Sequence, residues 1–158
     1  MSEDRKLYNE QYLQIMAEFD SLPDMSCNRI ELIKDLAVEM NYKTIGLANC
    51  VMFTRETKVI KTYLEKEFNV YSVNCKHGRL KRAELLANGD ASIICNPAGQ
   101  AEFLTSKKCD LNISIGLCVG HDMIFNDQSK APVTTLFTKD FTNNNNPAKA
   151  VNDINQRS

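Results

Sequence analysis

The sequence predicts an α/β protein: one three-layer domain spanning residues 1–158, with about five parallel strands flanked by helices in a Rossmann-like arrangement, after an N-terminal helical hairpin. Three observations carry this. From Thr44 onward, short apolar runs alternate with segments of helical period, the order that builds a parallel sheet. The runs TIGLANC, NVYSVNC, ASIIC and LNISIGLC read as buried strands covered on both faces. Turn and cap residues, among them Asn88-Gly89-Asp90 and Pro97, separate the elements.

Each element follows from its local pattern. Between Asp4 and Phe19, Leu7, Tyr8, Tyr12, Ile15, Met16 and Phe19 recur at helical spacing, and Pro23 and Asp24 break the run. A second helix starts from Ser26 as cap, continues through Ile30, Ile33, Leu36 and Met40, and closes at Asn41. Strand Thr44–Cys50 leads to helix Thr54–Phe68. Strand Val70–Cys75 leads to a basic turn and a short helix around Arg82–Leu86. Strand Ala91–Cys95 leads to helix Ala98–Lys107, and strand Leu111–Cys118 to helix His121–Asn126. Strand Val133–Thr138 comes last. The flavodoxin-like strand order 2-1-3-4-5 is the commonest fit to five such strands. Residues 143–158 read as an Asn-rich loop and a mobile tail with a short terminal helix.

Composition excludes several functions. A chain of 158 residues is long enough to bury a core without disulfides. A net charge of −1 gives no field for nucleic acid or an anionic membrane. No apolar stretch approaches the roughly 18 residues of a membrane span, and the polar start MSEDRKLYNE is not a signal peptide. The six cysteines then read as reduced thiols or ligands in a cytoplasmic protein. The sequon Asn112-Ile113-Ser114 falls within a buried strand and is discounted.

Four cysteines, Cys50, Cys75, Cys95 and Cys118, end strand-like runs. Right-handed crossovers place the carboxyl ends of parallel strands on one rim, where open α/β sheets bind ligands. Cys118 stands where a strand gives way to a helix, at the positive end of its dipole, with His121 and Asp122 within one turn. Cys95 precedes a helix start formed by Asn96, Pro97 and Gly99. Cys75 opens a basic turn whose Lys76, Arg79 and Arg82 suit a small anionic ligand, with His77 among them. Cys27 and Cys109 lie at the wrong ends of their elements and read as structural. No CxxC pair, GxGxxG or P-loop is present.

Soft thiolates favour zinc or an iron–sulfur cluster over magnesium or calcium. With strands about 4.8 Å apart, the order 2-1-3-4 puts Cys75 and Cys118 roughly 14 Å apart. A single ion would then be held by Cys50, Cys95 and Cys118, with His121 or Cys75 as fourth ligand, whereas a cluster would tolerate a wider spread. An alternative is a cysteine-dependent enzyme with Cys118 as nucleophile, His121 as base and Asp122 as orienter. A third is a module binding a small anion near Lys76, Arg79 and Arg82.

The stretches ICNPAGQAEFL, DLNISIGLCVGHDMIF and SKAPVTTLFTKD closely resemble the family called domain of unknown function 1847, over about Arg29 to Pro147. The resemblance implies metal binding by Cys50, Cys75, Cys95, Cys118 and His121. The chain departs from the family in having only Cys27 near its N-terminus, and in having Phe141 and Asn145 where the family tends to carry Arg and His.

Overall fold

The computed structural model describes residues 2–22 and 26–157. They fall into two compact units, Met1–Tyr42 and Lys43–Ser158.

The first unit contains the helical pair α1 (Glu10–Asp20) and α2 (Arg29–Glu39). The run expected from Asp4 is broken: a 3-10 turn covers Glu3–Leu7, and α1 begins afresh because Asn9 caps it, its side chain accepting from the Tyr12 N–H at 2.8 Å. Leu7, Tyr8, Tyr12, Met16 and Phe19 remain exposed, so their helical spacing does not mark a core face. The proposed break at Pro23 and Asp24 lies outside the described residues. The cap of α2 is Asn28 rather than Ser26. Asn28 accepts from the Ile30 and Glu31 N–H groups, and Glu31 accepts from the Asn28 N–H at 3.1 Å. This reciprocal pair satisfies the orphan donors of the first turn. Asn41 ends the helix with a left-handed φ of 55°.

The second unit is a parallel sheet of β1 (Thr44–Asn49), β2 (Asn69–Asn74), β3 (Leu111–Ile115) and β4 (Val133–Phe137), in the order β2-β1-β3-β4. Its helices are α3 (Thr54–Leu64), α4 (Arg82–Leu85), α5 (Pro97–Ser106), α6 (Val119–Gln128) and α7 (Ala148–Arg157). The chain steps one way from β1 to β2 and the other way from β3 to β4. Right-handed crossovers therefore put α3 on one face and α5 and α6 on the other, giving three layers. Ala48, Val73, Ala101, Leu104, Leu117 and Phe125 form a core cluster joining β1, β2, α5 and α6.

The strand expected at Ala91–Cys95 is not part of this sheet. Ile93 makes one antiparallel bridge with Lys81, and the Ile94 N–H donates to Leu80 O at 2.9 Å. Two features exclude a fifth strand. β1 and β3 pair directly, their start clamped by the Asp110 carboxylate, which accepts from the Lys43 and Thr44 N–H groups at 2.8 and 2.9 Å. The backbone of the run is also committed to the Leu80–Ala83 segment, with the Arg82 N–H donating to Ser92 O at 2.8 Å and the Ala83 N–H to Asp90 O at 2.9 Å. With four strands, the observed order is the expected one with its third member removed.

Gly46 on β1 is required by close packing. A Cβ there would lie 2.3 Å from Asn112 Oδ1 and 2.9 Å from Leu104 Cδ1. The Asn112 amide is fully buried with neither end hydrogen-bonded, so any shift must be taken up within a packed layer. Gly46→Ala should therefore overpack this face and cost about 1–3 kcal/mol, seen as a lower urea midpoint at unchanged slope. An unchanged midpoint would show that the layer yields freely.

Candidate functional site

Parallel polarity brings the C-terminal ends of β1, β2 and β3 to one rim. Cys50 directly follows β1, Cys75 follows β2, and Cys118 is the extended residue that opens α6. Cys95 reaches the same rim by another route. The Asn96 N–H donates to Cys75 O at 2.8 Å, which lays the Cys95 segment beside the end of β2. The Cys95 and Cys75 sulfurs are 3.6 Å apart. Cys50 and Cys75 are buried, while Cys95 and Cys118 are half-buried.

The other two thiols share one cation. Lys139 Nζ lies 2.9 Å from Cys50 Sγ and 3.3 Å from Cys118 Sγ. Lys139 follows β4 by one residue beyond Thr138, and its ammonium also stands 5.6 Å from the Phe141 ring centre. Its backbone is fixed on both sides. The Lys139 N–H donates to Leu117 O at 3.3 Å, and Asp140 anchors the Asn run. The Asp140 N–H donates to Asn145 Oδ1 at 3.0 Å, and Asn143 Nδ2 donates to Asp140 Oδ2 at 2.9 Å. Asn144 and Asn145 both adopt left-handed backbone, which asparagine tolerates better than most residues. The Asn run is thus the turn that aims Lys139, and not only a loop.

Electrostatics separates the thiols. Burial pushes the Cys50 thiol up, but the Lys139 hydrogen bond, the Met52 N–H and the Lys139 charge outweigh it and leave Cys50 below the ordinary value of 9.0. Burial pushes Cys75 up to about 12, despite the Val51 N–H, with neighbouring Cys95 adding to the rise. Lys139 loses some basicity to burial but gains more from both thiols, so it stays an ammonium ion. Burial, then the charges of Lys139 and Lys76, hold His121 below its ordinary 6.5. Its ring is therefore neutral near pH 7.

Other residues singled out by sequence fall in different places. Asp122 does not face the thiols: its carboxylate accepts from Ser114 Oγ at 3.0 Å, in a network with Thr135. Among the described residues, no hydrogen bond joins His121 to Cys118, so the expected nucleophile–base contact is replaced by Lys139. His77 packs its ring 5.1 Å from that of Phe103, and its carbonyl accepts from Asn96 Nδ2. Of the basic turn, Lys76 Nζ donates to Ile93 O at 2.8 Å, and Arg82 approaches Asp90 at 3.9 Å. Lys76 and Arg82 thus serve the local loop. Cys109 is pushed up to about 11 by burial and by Asp110, in keeping with a structural thiol. Gln100 was visible only as a polar residue near a helix start. It is fully buried and ties the ends of β1 and β2 together through Asn49 O at 3.2 Å and Val73 O at 2.9 Å.

The donor set suits a soft metal. In a tetrahedral thiolate site, bonds of about 2.3 Å put sulfurs about 3.8 Å apart, close to the Cys75–Cys95 spacing. The expected 14 Å gap also shrinks: Cys75 and Cys118 lie at the ends of strands with only β1 between them, about 10 Å at the strand spacing. Among the described residues, however, no group of three or more His, Cys, Asp or Glu is gathered as a finished cage. Lys139 occupies the space between Cys50 and Cys118.

A family described as "Protein of unknown function (DUF1847)" matches residues 2–136. An uncharacterized protein of Methanocaldococcus jannaschii is 37% identical over 155 residues, covering 96% of this chain and 80% of its own length. No solved structure matches.

Two predictions follow from the charges. In metal-free protein, alkylation of Cys50 should show a midpoint below 9.0, and Lys139→Met should move it upward, because burial is then opposed only by the Met52 N–H and Cys75. Peptide-resolved labelling across pH reads both; superimposable profiles would remove Lys139 from this role. For His121, the lowered value in the folded chain means its neutral form stabilises the fold fully above pH 6.5, and that stability is lost as pH falls below it. His121→Gln should flatten this part of the stability–pH curve, measured by urea unfolding.

Proposed function

The chain belongs to the DUF1847 family, which assigns no reaction, and from its rim chemistry we propose that it binds zinc or an iron–sulfur cluster through Cys50, Cys75, Cys95 and Cys118. The observation that carries this reading is two thiol pairs on one rim, drawn from four separate segments, one pair at a spacing close to a tetrahedral sulfur–sulfur edge. Thiolates select zinc and iron–sulfur centres over hard cations. Cys75 and Cys95 form the preassembled half. Cys50 and Cys118 complete the set once Lys139 withdraws, and the neutral ring of His121 is the nearest nitrogen alternative in the sequence. Zinc would supply structural cross-linking or Lewis acidity, and a cluster would supply electron transfer. Within this reading, Lys139 stabilises the buried Cys50 thiolate before loading. Reduced thiols of this kind suit a cytoplasmic protein. Among the described residues, no helix is long and apolar enough to cross a membrane.

A second reading rests on the Lys139 contacts. An ammonium touching two thiols is also how a cysteine nucleophile is activated. That reading moves the reactive group from a Cys118–His121 pair to Cys50 and Cys118 around Lys139. Protein purified without oxygen separates the two. The metal reading expects about one equivalent of zinc, or iron with visible absorption, and at least a tenfold weaker retention in Cys95→Ser. Metal-free protein whose rim thiols all titrate freely, with Cys50 alkylated first, would favour the nucleophile instead.

A further inference from the structure

We infer that Cys75 and Cys95 form a reversible dithiol/disulfide site, oxidised by low-molecular-weight disulfides. This goes beyond the metal reading and stands without it.

The inference rests on position. The two sulfurs lie 3.6 Å apart although the residues are twenty positions apart in sequence. A disulfide bond is about 2.0 Å long, so small rotations of the two side chains close the gap. The backbone holds the pair in place: the Asn96 N–H bonds to Cys75 O, and the Ile94 N–H bonds to Leu80 O. The proximity is thus built into two hydrogen-bonded segments. The two thiols also differ in access. Cys95 is half-buried, whereas Cys75 is 2% exposed and sits behind it. This is the arrangement of an entry thiol and a resolving thiol.

The chemistry balances in two exchanges. Cys95 gives up its proton and attacks one sulfur of an external disulfide RSSR, forming Cys95–S–S–R and releasing RSH. Cys75 then attacks the Cys95 sulfur, the Cys75–S–S–Cys95 bond forms, and the second R group leaves with the Cys75 proton as RSH. Two protein thiols are oxidised, and one external disulfide is reduced to two thiols.

The same geometry disfavours a Cys50–Cys118 link. Cys50 and Cys118 have the Lys139 ammonium between them. Closure at Cys75–Cys95 would withdraw two sulfurs from the donor set proposed above; that consequence rests on the metal reading, but the disulfide does not.

The test uses the full chain, stripped of metal under argon and equilibrated with excess oxidised glutathione. After acid quenching, free thiols are counted and the cross-link is mapped by peptide mass. The expected result is a fall from six free thiols to four, one Cys75–Cys95 link, and full reversal by dithiothreitol. Cys95→Ser should form no intramolecular link. Cys109→Ser, outside the pair, should still lose two thiols. Six thiols persisting in the wild-type chain, or a link mapped to any other two cysteines, would overturn the inference. Either outcome is read without metal, so it leaves the metal reading to its own measurement.

Discussion

The direct pairing of β1 with β3 is the constraint on which the site depends. Asp110 enforces it by accepting both N–H groups at the start of β1, and the register runs from Ile45–Leu111 to Asn49–Ile115 without a gap. Cys50 and Cys118 therefore emerge from adjacent strands. One ammonium group can touch both, which it could not do if another strand lay between them. A strand inserted at that position would have separated the two thiols and left Lys139 serving only one.

The rim is also an electrostatic arrangement. Burying a thiolate is costly unless a partner compensates it. Lys139 does this for Cys50 and also touches Cys118, and its own position is set by the Asp140–Asn145 turn. Cys75 is held protonated by burial, with Cys95 and Cys50 adding to the rise. The four sulfurs thus divide into a pair around Lys139 and a pair in mutual contact, with Cys50 also hydrogen-bonded to Cys75. The first supplies charge, and the second supplies proximity.

Much of this was legible in the sequence because parallel strands announce themselves by apolar runs between helical segments. That logic located β1, β2, β3 and β4, their shared polarity, and the four cysteines of the rim. It failed at ASIIC, where a short apolar run looked like a strand, because the competing fact, the Asp110 clamp, is a contact between residues 66 and 67 positions apart. Nothing local shows that a carboxylate one turn into α6 points back to Ser114. Lys139 stands in an ordinary KD pair that carries no local signal. Its importance arises only when the fold carries the end of β4 beside two thiols. The Asn run after it did carry a signal: consecutive asparagines suit left-handed backbone, and two of them adopt it. The Asn28-x-x-Glu31 capping box was likewise present in the sequence, two residues beyond the cap that was chosen.

The central claim is that sulfurs from separate strands and loops act on one ligand. X-ray absorption at the metal edge of the loaded, full-length chain tests this most directly. The account predicts a first shell of sulfur neighbours at about 2.3 Å. A shell made only of oxygen and nitrogen at about 2.0–2.2 Å would contradict it, because the bound ion would then lie away from the cysteine rim.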